Sequence, residues 1–307
     1  MHASLGNAVG IRSQNDPANL ELLAAATHFY GSAKFIAGLQ FALTVPVAVV
    51  SYTILFSFPG LKPWTTFVAL TVALTDILVL ERLQSRLRLF GALAQEAFDC
   101  AIFRLPWNQF LCSRRLEAAE IAEAAASHRR RNPDVRSLSD WYPAVVAELA
   151  PDFATLICQR SAVRWDSAQR RRYSAWLTGV GVAVLATLLA FALYRNYAVS
   201  DLILALYAPL TPAILWTARE ILRHRDAADK LDALRSRIDG VWSVVTAPTK
   251  ETSIPSREIQ DALFEARSRN ALVFDWLYRL QRPKNEAAMK INAEDMVKTL
   301  KALPQSK

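Results

Sequence analysis

Three arginines at helical spacing form the clearest candidate binding surface in the sequence. Arg160, Arg164 and Arg171 lie at positions i, i+4 and i+11, which places them on one face of a helix. Guanidinium groups bind phosphate through two parallel hydrogen bonds, and the adjacent Trp165 offers a ring on which a nucleobase can stack. The pattern indicates a nucleotide-binding face. The alternative is positive charge that orients a membrane protein and contacts lipid headgroups.

The second candidate is a carboxylate inside an apolar segment. Asp76 lies within the apolar run Trp64–Leu80. An ionisable side chain in a membrane-spanning helix is costly and therefore suggests a function. In a homo-oligomer, one such carboxylate per subunit would form a ring that attracts cations, so we predict that Asp76 lines a pore. The alternative is a local pair with Arg82 at the inner end of the segment.

Motifs of enzymes and of cofactor sites are missing from the sequence. It contains no GxxxxGK[ST], GxGxxG, GxSxG or HExxH, and its nine glycines are too few for a phosphate-cradling loop. The three cysteines form no CxxC pair, and the four histidines are scattered, so neither a disulfide framework nor a metal site is indicated. We predict no catalytic residue, no metal and no cofactor.

The elements that would position these residues are four apolar runs. Each is long enough to cross a hydrocarbon core of about 30 Å as a helix, or nearly so. Trp176–Tyr194 is the clearest, with no charged residue. Short connections within each pair make the paired helices antiparallel neighbours. We predict an all-α membrane protein with four transmembrane helices in two hairpins: Phe35–Phe58, Trp64–Leu80, Trp176–Tyr194 and Asp201–Trp216.

Composition and charge give the topology. The chain has 307 residues, of which 52% are hydrophobic and 21% charged, which indicates membrane spans combined with substantial soluble segments. The net charge of +8 fits anionic lipid, a nucleotide ligand or topology, and topology is favoured. The connections within the two hairpins carry only Lys62 and Arg195, so both termini and the long insertion are predicted to be cytoplasmic. No cleavable signal peptide is visible.

These predictions divide the chain into five segments. They are an N-terminal cytoplasmic helix (1–34), hairpin 1 (35–80), a cytoplasmic helical insertion (81–174), hairpin 2 (175–218) and a cytoplasmic helical tail (219–307).

Helical patterns subdivide the soluble segments further. Asp16 and Pro17 mark the start of a short N-terminal helix. Further helices are predicted over Leu83–Ala101, over Glu117–Ser127 and from Phe153 into the third span. In the tail, apolar residues from Ala227 to Val245 form a coiled-coil-like seam. A helix over Arg257–Arg282 follows, and residues beyond Pro283 are predicted to be peripheral, with a short helix through Met289–Leu303.

Five groups of short motifs carry a family resemblance. They occur in order along almost the whole chain, between the predicted spans. The sequence resembles the bacterial SMODS-associating four-transmembrane effectors at Gln14-Asn15 with Leu22-Leu23-Ala24-Ala25 and Tyr30; at Phe98-Asp99-Cys100 with Leu105-Pro106-Trp107-Asn108; at Asp140-Trp141-Tyr142-Pro143; at Cys158-Gln159-Arg160-Ser161 with Trp165-Asp166 and Arg170-Arg171-Arg172-Tyr173; and at Arg257-Glu258-Ile259-Gln260-Asp261-Ala262 with Phe274-Asp275-Trp276-Leu277-Tyr278.

The resemblance implies a role in cyclic-oligonucleotide anti-phage signalling (CBASS). A neighbouring nucleotidyltransferase would make the messenger, and the effector would bind it and open the bacterial inner membrane. The leading hypothesis is thus an oligomeric pore-forming effector, embedded in the lipid bilayer, with a cyclic oligonucleotide rather than DNA as its ligand. The alternative is a non-pore membrane receptor or scaffold whose tail seam recruits a cytoplasmic partner. An ion-coupled transporter is disfavoured because the short hairpins leave little room for a midplane site.

Overall fold

A computed structural model describes residues 10–44, 59–134, 137–196, 198, 208–247 and 253–302. Within these ranges the chain is helical and has no β-strand, which confirms the all-α prediction. The predicted first and fourth spans fall partly on residues 45–58 and 199–207, which lie outside the described residues. The arrangement of four spans in two hairpins therefore stays a prediction.

The N-terminal helix is longer than its sequence pattern indicates. A 3₁₀ turn over Gly10–Asn15 leads into helix α1, Pro17–Thr44, so the predicted start at Pro17 is confirmed. The predicted short helix is wrong in length, since α1 runs without a break past residue 34 into the first apolar run. Gly31 and Gly38 lower helix propensity but do not end a helix that is supported by packing.

The second span continues directly into the insertion. Helix α2 (Lys62–Thr75), a π-helical segment (Asp76–Leu80) and helix α3 (Glu81–Phe103) form one continuous rod, which confirms the helix predicted over Leu83–Ala101. Arg104 ends it in the left-handed conformation with φ 56°.

Short elements of the insertion follow the end of this rod. Asn108 caps the single turn α4, Gln109–Cys112. Glu117 and Glu120 form a capping box at the start of α5, Ala118–Arg131, which confirms the predicted alanine-rich helix.

Two long helices run from the soluble core into the predicted second pair of spans. Helix α6, Pro151–Tyr194, has 44 residues and is about 66 Å long. Its unbroken course into the third span confirms the prediction. Helix α7, Ala208–Val245, packs along α6, and the predicted seam is confirmed because Ala227, Leu231 and Ile238 are buried. The seam therefore packs against other helices of the same chain, namely α6 and the helix that follows α7.

The end of the tail departs from prediction in two ways. Helix α8 covers Ser256–Arg269 and helix α9 covers Asp275–Ala302, so the predicted single helix over Arg257–Arg282 is interrupted at residues 270–274. Asn270 takes an extended conformation that ends α8. Helix α9 runs through Pro283, and its later residues are not peripheral, because Ala293, Met296 and Val297 belong to the main core.

One hydrophobic core joins the N-terminal helix, the insertion and the tail. It collects buried side chains from all three segments: Leu23, Ala24, Phe98, Ile102, Ala125, Tyr142, Ile157, Cys158, Met296 and Val297. The three segments therefore lie on the same side of any bilayer that the spans cross, as the charge distribution predicts.

The membrane-facing part has the opposite surface. Large apolar side chains of α2, of the π-helical segment and of the end of α6 are exposed, among them Trp64, Phe67, Ile77, Val182 and Leu193. Among the described residues, α6 is the one helix that is long and apolar enough to cross a membrane, and only 11% of its most apolar 18-residue stretch is buried. Such exposure is typical of a lipid-facing helix and not of the core of a soluble protein.

A close helix contact gives the first testable prediction. A Cβ built on Gly91 of α3 meets ring carbons of Tyr30 on α1 at 3.0 Å. The Tyr30 ring itself packs against the core. We expect Gly91→Ala to lower the free energy of unfolding by about 1–3 kcal/mol, because overpacking outweighs the gain in helix propensity. Denaturant unfolding measures this effect.

Gly31 provides the matched control for that substitution. It lies on α1, one residue after Tyr30, and an added Cβ there meets no atom within 4 Å. Gly31→Ala should be neutral or stabilising by up to about 1 kcal/mol. Equal effects of the two substitutions would contradict the close contact.

Candidate functional site

The predicted arginine face is part of the contact between α6, α7 and α9. Arg160 forms an ion pair with Asp239 of α7, and its side chain is 17% exposed. Arg164 donates to Oδ1 of Asn292 in α9 at 2.6 Å. Burial lowers the pKa of Arg164, and the neighbouring Arg235 and Arg160 lower it further. Both arginines thus lie between helices, although the sequence pattern is equally typical of a solvated face.

Arg171 is the most accessible of the three arginines. It is 51% exposed and contacts two carboxylates of α7, donating from Nε to Asp232 Oδ2 at 2.8 Å and from a terminal nitrogen to Asp229 Oδ1 at 2.8 Å. Burial alone would raise the pKa of Asp232, but hydrogen bonds from Ser167 and Arg171 lower it. Trp165 is half-buried on the same helix.

These contacts form a ladder along two antiparallel helices. Its rungs are Arg160–Asp239, Ser167–Asp232 at 2.5 Å, and Arg171 with Asp229 and Asp232. We call this set the α6/α7 ladder. It joins the halves of the two helices that pack in the soluble core, and their other halves enter the membrane-facing part. A ligand that competes for the arginines would therefore act on both helices at once.

Asp76 lies at the junction of the second span and the insertion. It begins the π-helical segment, is half-buried, and accepts a hydrogen bond from Gln40 of α1 at 2.7 Å. π-Helical turns inside α-helices often occur at functional sites. The alternative partner Arg82 is not among the contacts described for Asp76. The hydrogen bond from Gln40 instead connects Asp76 to α1, the helix that enters the predicted first span.

A buried cluster of carboxylates and arginines is the feature that residue spacing did not predict. Glu96 and Asp99 of α3 are completely buried. Arg257 contacts Glu96 at 2.6 Å and Arg267 contacts Asp99 at 2.5 Å, both from α8. Gln260 lies between them and donates to both carboxylates at 2.8 Å. We call these five residues the buried charge cluster.

Two further segments contact this cluster, and two more contact its immediate neighbours. The Tyr142 hydroxyl donates to Asp99 at 3.0 Å, and Gln159 of α6 donates to Gln260 at 3.1 Å. The Gln14 side-chain amide donates to the Tyr142 carbonyl and accepts from the Tyr142 backbone N–H. Asn108 donates to Asp261 at 2.9 Å.

Several motifs that are far apart in the sequence therefore meet at one place. Residues 260 and 96 are 164 positions apart along the chain. Residues 14, 99, 108, 142, 159, 257 and 260 all belong to the motifs that carry the family resemblance.

A comparison with known protein families identifies the family of this chain. Residues 11–296 match the model of the SMODS-associating 4TM effector domain. The chain belongs to this family. It is also 25% identical over 286 residues to a probable CBASS effector molecule from Bacillus cereus (strain VD146), covering 91% of this chain and 95% of that protein. No solved structure matches the chain.

Membership of this family means that the 4TM effector is a membrane protein. The structure shows what some of the family motifs do. Arg257 donates to the Pro106 carbonyl at 2.8 Å, where α3 has just ended at Arg104. The Leu105-Pro106-Trp107-Asn108 motif is therefore a corner held by α8. The motif pattern was the available signal for the buried charge cluster, but its residues are too far apart in the chain for spacing to pair them.

A second polar group of the 4TM effector lies nearer the membrane. His224 of α7 is completely buried, with Nε2 at 3.0 Å from Glu220 and Nδ1 at 3.4 Å from Arg170 of α6. Because an arginine only donates, Nδ1 is the acceptor in the contact with Arg170, and Nε2 is the donor to Glu220. Arg170 also donates to the Ala271 carbonyl at 2.7 Å. This group connects α6, α7 and the segment between α8 and α9.

No group of three or more histidine, cysteine or acidic side chains that could hold a metal ion occurs in the part of the chain that the structure describes. The cysteines of the 4TM effector are all buried. Burial raises the pKa of Cys100 and of Cys112 to about 12, and raises that of Cys158 well above its usual value.

Thiol reactivity follows from these pKa values. A raised thiol pKa leaves almost no thiolate at neutral pH, and thiolate is the reactive form. We expect the folded protein to react with none of its thiols at pH 7.5 within the time in which the denatured protein reacts with all three. The number of reacted thiols is measured from the absorbance change of a chromogenic disulfide reagent. Rapid labelling of one cysteine in the folded protein would contradict its burial.

Proposed function

We propose that this chain is a CBASS effector that forms an oligomeric pore in the bacterial inner membrane and opens when a cyclic oligonucleotide binds on the cytoplasmic side. Membership of the 4TM effector family supports the membrane role, and the similarity to a probable CBASS effector molecule supports the signalling context. The effect on the cell comes from leakage across the membrane and not from a catalytic step. The messenger comes from a neighbouring nucleotidyltransferase.

The observation that carries this proposal is the continuity of α6 and α7. Each runs as one helix from the soluble core toward the membrane, and the α6/α7 ladder joins their cytoplasmic halves. Because a helix transmits displacement along its axis, a change at the ladder reaches hairpin 2. A ligand shifts such an equilibrium only if it binds the open arrangement more tightly than the closed one.

The ligand acts by competition for arginine. Phosphate groups of the messenger bind Arg160, Arg164 and Arg171 in place of Asp239, Asn292, Asp229 and Asp232, and a base stacks on Trp165. The exposed position of Arg171 makes it the first contact. Loss of the rungs frees α6 from α7, which permits the open arrangement.

The pore is built from several copies of the chain. Asp76 lines it and attracts cations. Small residues on the membrane-facing part of α6, namely Gly179, Ala183, Ala186 and Ala190, are exposed and allow close approach of a neighbouring helix. The soluble segments and both termini are cytoplasmic, in keeping with the positive-inside distribution of charge.

Dye release from liposomes tests the proposal. Purified protein is inserted into vesicles that contain a self-quenching dye, and a panel of cyclic di- and trinucleotides is added. We expect one member of the panel to cause leakage. The variant Arg160→Gln/Arg171→Gln should lose nucleotide binding and the nucleotide-dependent rise in leakage, while its leakage without nucleotide rises because the rungs are lost. Arg237→Gln, an exposed arginine of α7 outside the ladder, should behave like the wild type.

Two results would count against the proposal. Nucleotide binding without leakage by correctly inserted protein would favour the receptor or scaffold alternative. Leakage with unchanged cation selectivity after Asp76→Asn would remove that residue from the pore, although the gating mechanism would stand.

A further inference from the structure

A polar cavity opens where the helices pass between the membrane-facing and the cytoplasmic part. Its volume is about 440 Å³, within the range of ligand sites. Helix α1, the π-helical segment, α3, α7 and residues 270–274 surround it. It contains none of the ladder residues.

One face of α7 brings three cations to this cavity. Arg219, Arg223 and Lys230 lie at i, i+4 and i+11, and all three are exposed. Within the described residues, Arg219 and Lys230 make no ion pair or hydrogen bond, and the nearest carboxylate to Arg223 is Glu220 at 3.9 Å. These charges are therefore available to a ligand, unlike those of the ladder.

Arg88 of α3 adds a positive charge that is only half accessible. Its guanidinium donates to the Ser268 carbonyl at 2.9 Å, the Asn270 carbonyl at 3.5 Å and the Ser85 hydroxyl at 3.3 Å, all of which are neutral. Burial lowers the pKa of Arg88, and the charge of Arg223 lowers it further, against the effect of Glu81. A nearby anion would relieve this unfavourable charge.

The cavity also contains carboxylates. Five cations line it, Arg88, Arg219, Arg223, Lys230 and Arg269, against four carboxylates, Asp76, Glu81, Glu220 and Asp226. Arg269 lies 3.5 Å from Glu265, outside the cavity, and Glu220 is engaged by His224. An anion that reaches this face of α7 therefore meets Arg219 and Lys230, which make no ion pair within the described residues.

The depth of the cavity corresponds to the headgroup region. Trp216 lines it and packs on Phe41 of α1 at 4.9 Å between ring centres. Tryptophan is enriched at membrane–water interfaces, and basic pockets between spans on the cytoplasmic side bind phosphate-bearing headgroups. Arg88 and Arg269 also line a neighbouring pocket that contains the hydroxyl-bearing residues Ser85, Ser113 and Ser268, which could supply further donors.

We propose that this cavity binds a phosphate-ester anion, supplied by an anionic phospholipid headgroup or by a soluble phosphate ester. Arg219, Arg223 and Lys230 hold it from α7 and Arg88 from α3. The site joins hairpin 1 to α7, whereas the ladder joins α6 to α7, and binding here requires neither a pore nor a cyclic oligonucleotide.

The test uses the full chain in nanodiscs and two probes. One nanodisc set contains phosphatidylcholine with phosphatidylglycerol, and the phosphatidylglycerol that remains with the protein after detergent extraction is counted by mass spectrometry. The other contains phosphatidylcholine alone, and pyrophosphate binding is measured by calorimetry. Each is repeated with Arg219→Gln/Arg223→Gln/Lys230→Gln. The control Arg130→Gln/Arg131→Gln/Arg237→Gln removes three exposed cations elsewhere.

We expect wild-type protein and the control to bind one probe about a hundredfold more tightly than the cavity variant. Retention of phosphatidylglycerol alone identifies a lipid headgroup as the source, and pyrophosphate binding in phosphatidylcholine identifies a soluble ester. Either result supports the site. If neither probe distinguishes the wild type from a cavity variant with the same helical circular dichroism and melting temperature, the proposal is overturned. The experiment measures lipid retention and pyrophosphate binding and does not measure leakage. Its result is therefore independent of whether the protein forms a pore.

Discussion

Replacing Arg267 by methionine is expected to lower the free energy of unfolding by about 3–5 kcal/mol, because it leaves a buried carboxylate without its charge partner. Asp99 has no solvent exposure, and the Arg267 side chain is only 12% exposed at 2.5 Å from it. The charges of Asp99 and its surroundings raise the pKa of Arg267 despite burial, which acts in the opposite direction. Gln260 and Tyr142 still donate to Asp99, but neither carries a positive charge.

A neighbouring arginine on the same helix is the control for this substitution. Arg269 is 75% exposed and lies 3.5 Å from Glu265, so Arg269→Met should cost no more than about 1 kcal/mol. Adding Asp99→Asn to Arg267→Met should restore part of the loss, since the uncompensated charge is then removed. Denaturant unfolding of the full chain in detergent compares the four proteins. A cost below about 1 kcal/mol for Arg267→Met would mean that water reaches Asp99.

The buried charge cluster also shows where prediction from sequence ends. Helical periodicity and caps are local, so the continuation of the second span into α3 and the long course of α6 were predicted. The partners of Glu96 and Asp99 on α8 lie more than 150 residues away, and no local pattern pairs them. Asp99, Arg257 and Gln260 lie in the family motifs, but nothing in the sequence indicated that they meet Glu96 and Arg267.

Helix ends were predicted less well where the deciding interaction is tertiary. Proline usually ends a helix, yet α9 continues through Pro283, and burial of Ala293 and Met296 in the core compensates for the lost backbone bond. In contrast, α8 ends at Asn270, a residue with only weak tendency to break a helix. There Arg88 and Arg170 hold the carbonyls of residues 268, 270 and 271 in a non-helical path.

The nucleotide-binding role of the arginine face stays a prediction, and the partners of its arginines within the chain were not recognised from the sequence. Steps of seven and four residues along α6, from position 160 to 167 and 171, match steps of seven and three back along α7, from 239 to 232 and 229. This complementary spacing is present in the sequence. It could have paired the two helices, because antiparallel neighbours place residues in opposite order.

The α6/α7 ladder gives the second large expected effect. Replacing both Asp229 and Asp232 by asparagine removes the acceptor charges for Arg171 and weakens the contact from Ser167. If the ladder holds the closed arrangement, we expect dye leakage without any nucleotide to rise about tenfold. This follows from a loss of roughly 1–2 kcal/mol over these partly exposed pairs. Liposome leakage in the absence of ligand measures it.

Asp226→Asn is the matched control, since this exposed aspartate is on the same helix and makes no ion pair within the described ranges. It removes a negative charge without touching a rung, so its leakage should remain at the wild-type level. Raised leakage in the double variant alone would assign the effect to the ladder and not to net charge. If the inserted double variant stays closed until nucleotide is added, the ladder does not hold the gate. The coupling between ligand and hairpin 2 must then pass through another contact of α6, such as the Arg170–His224 pair.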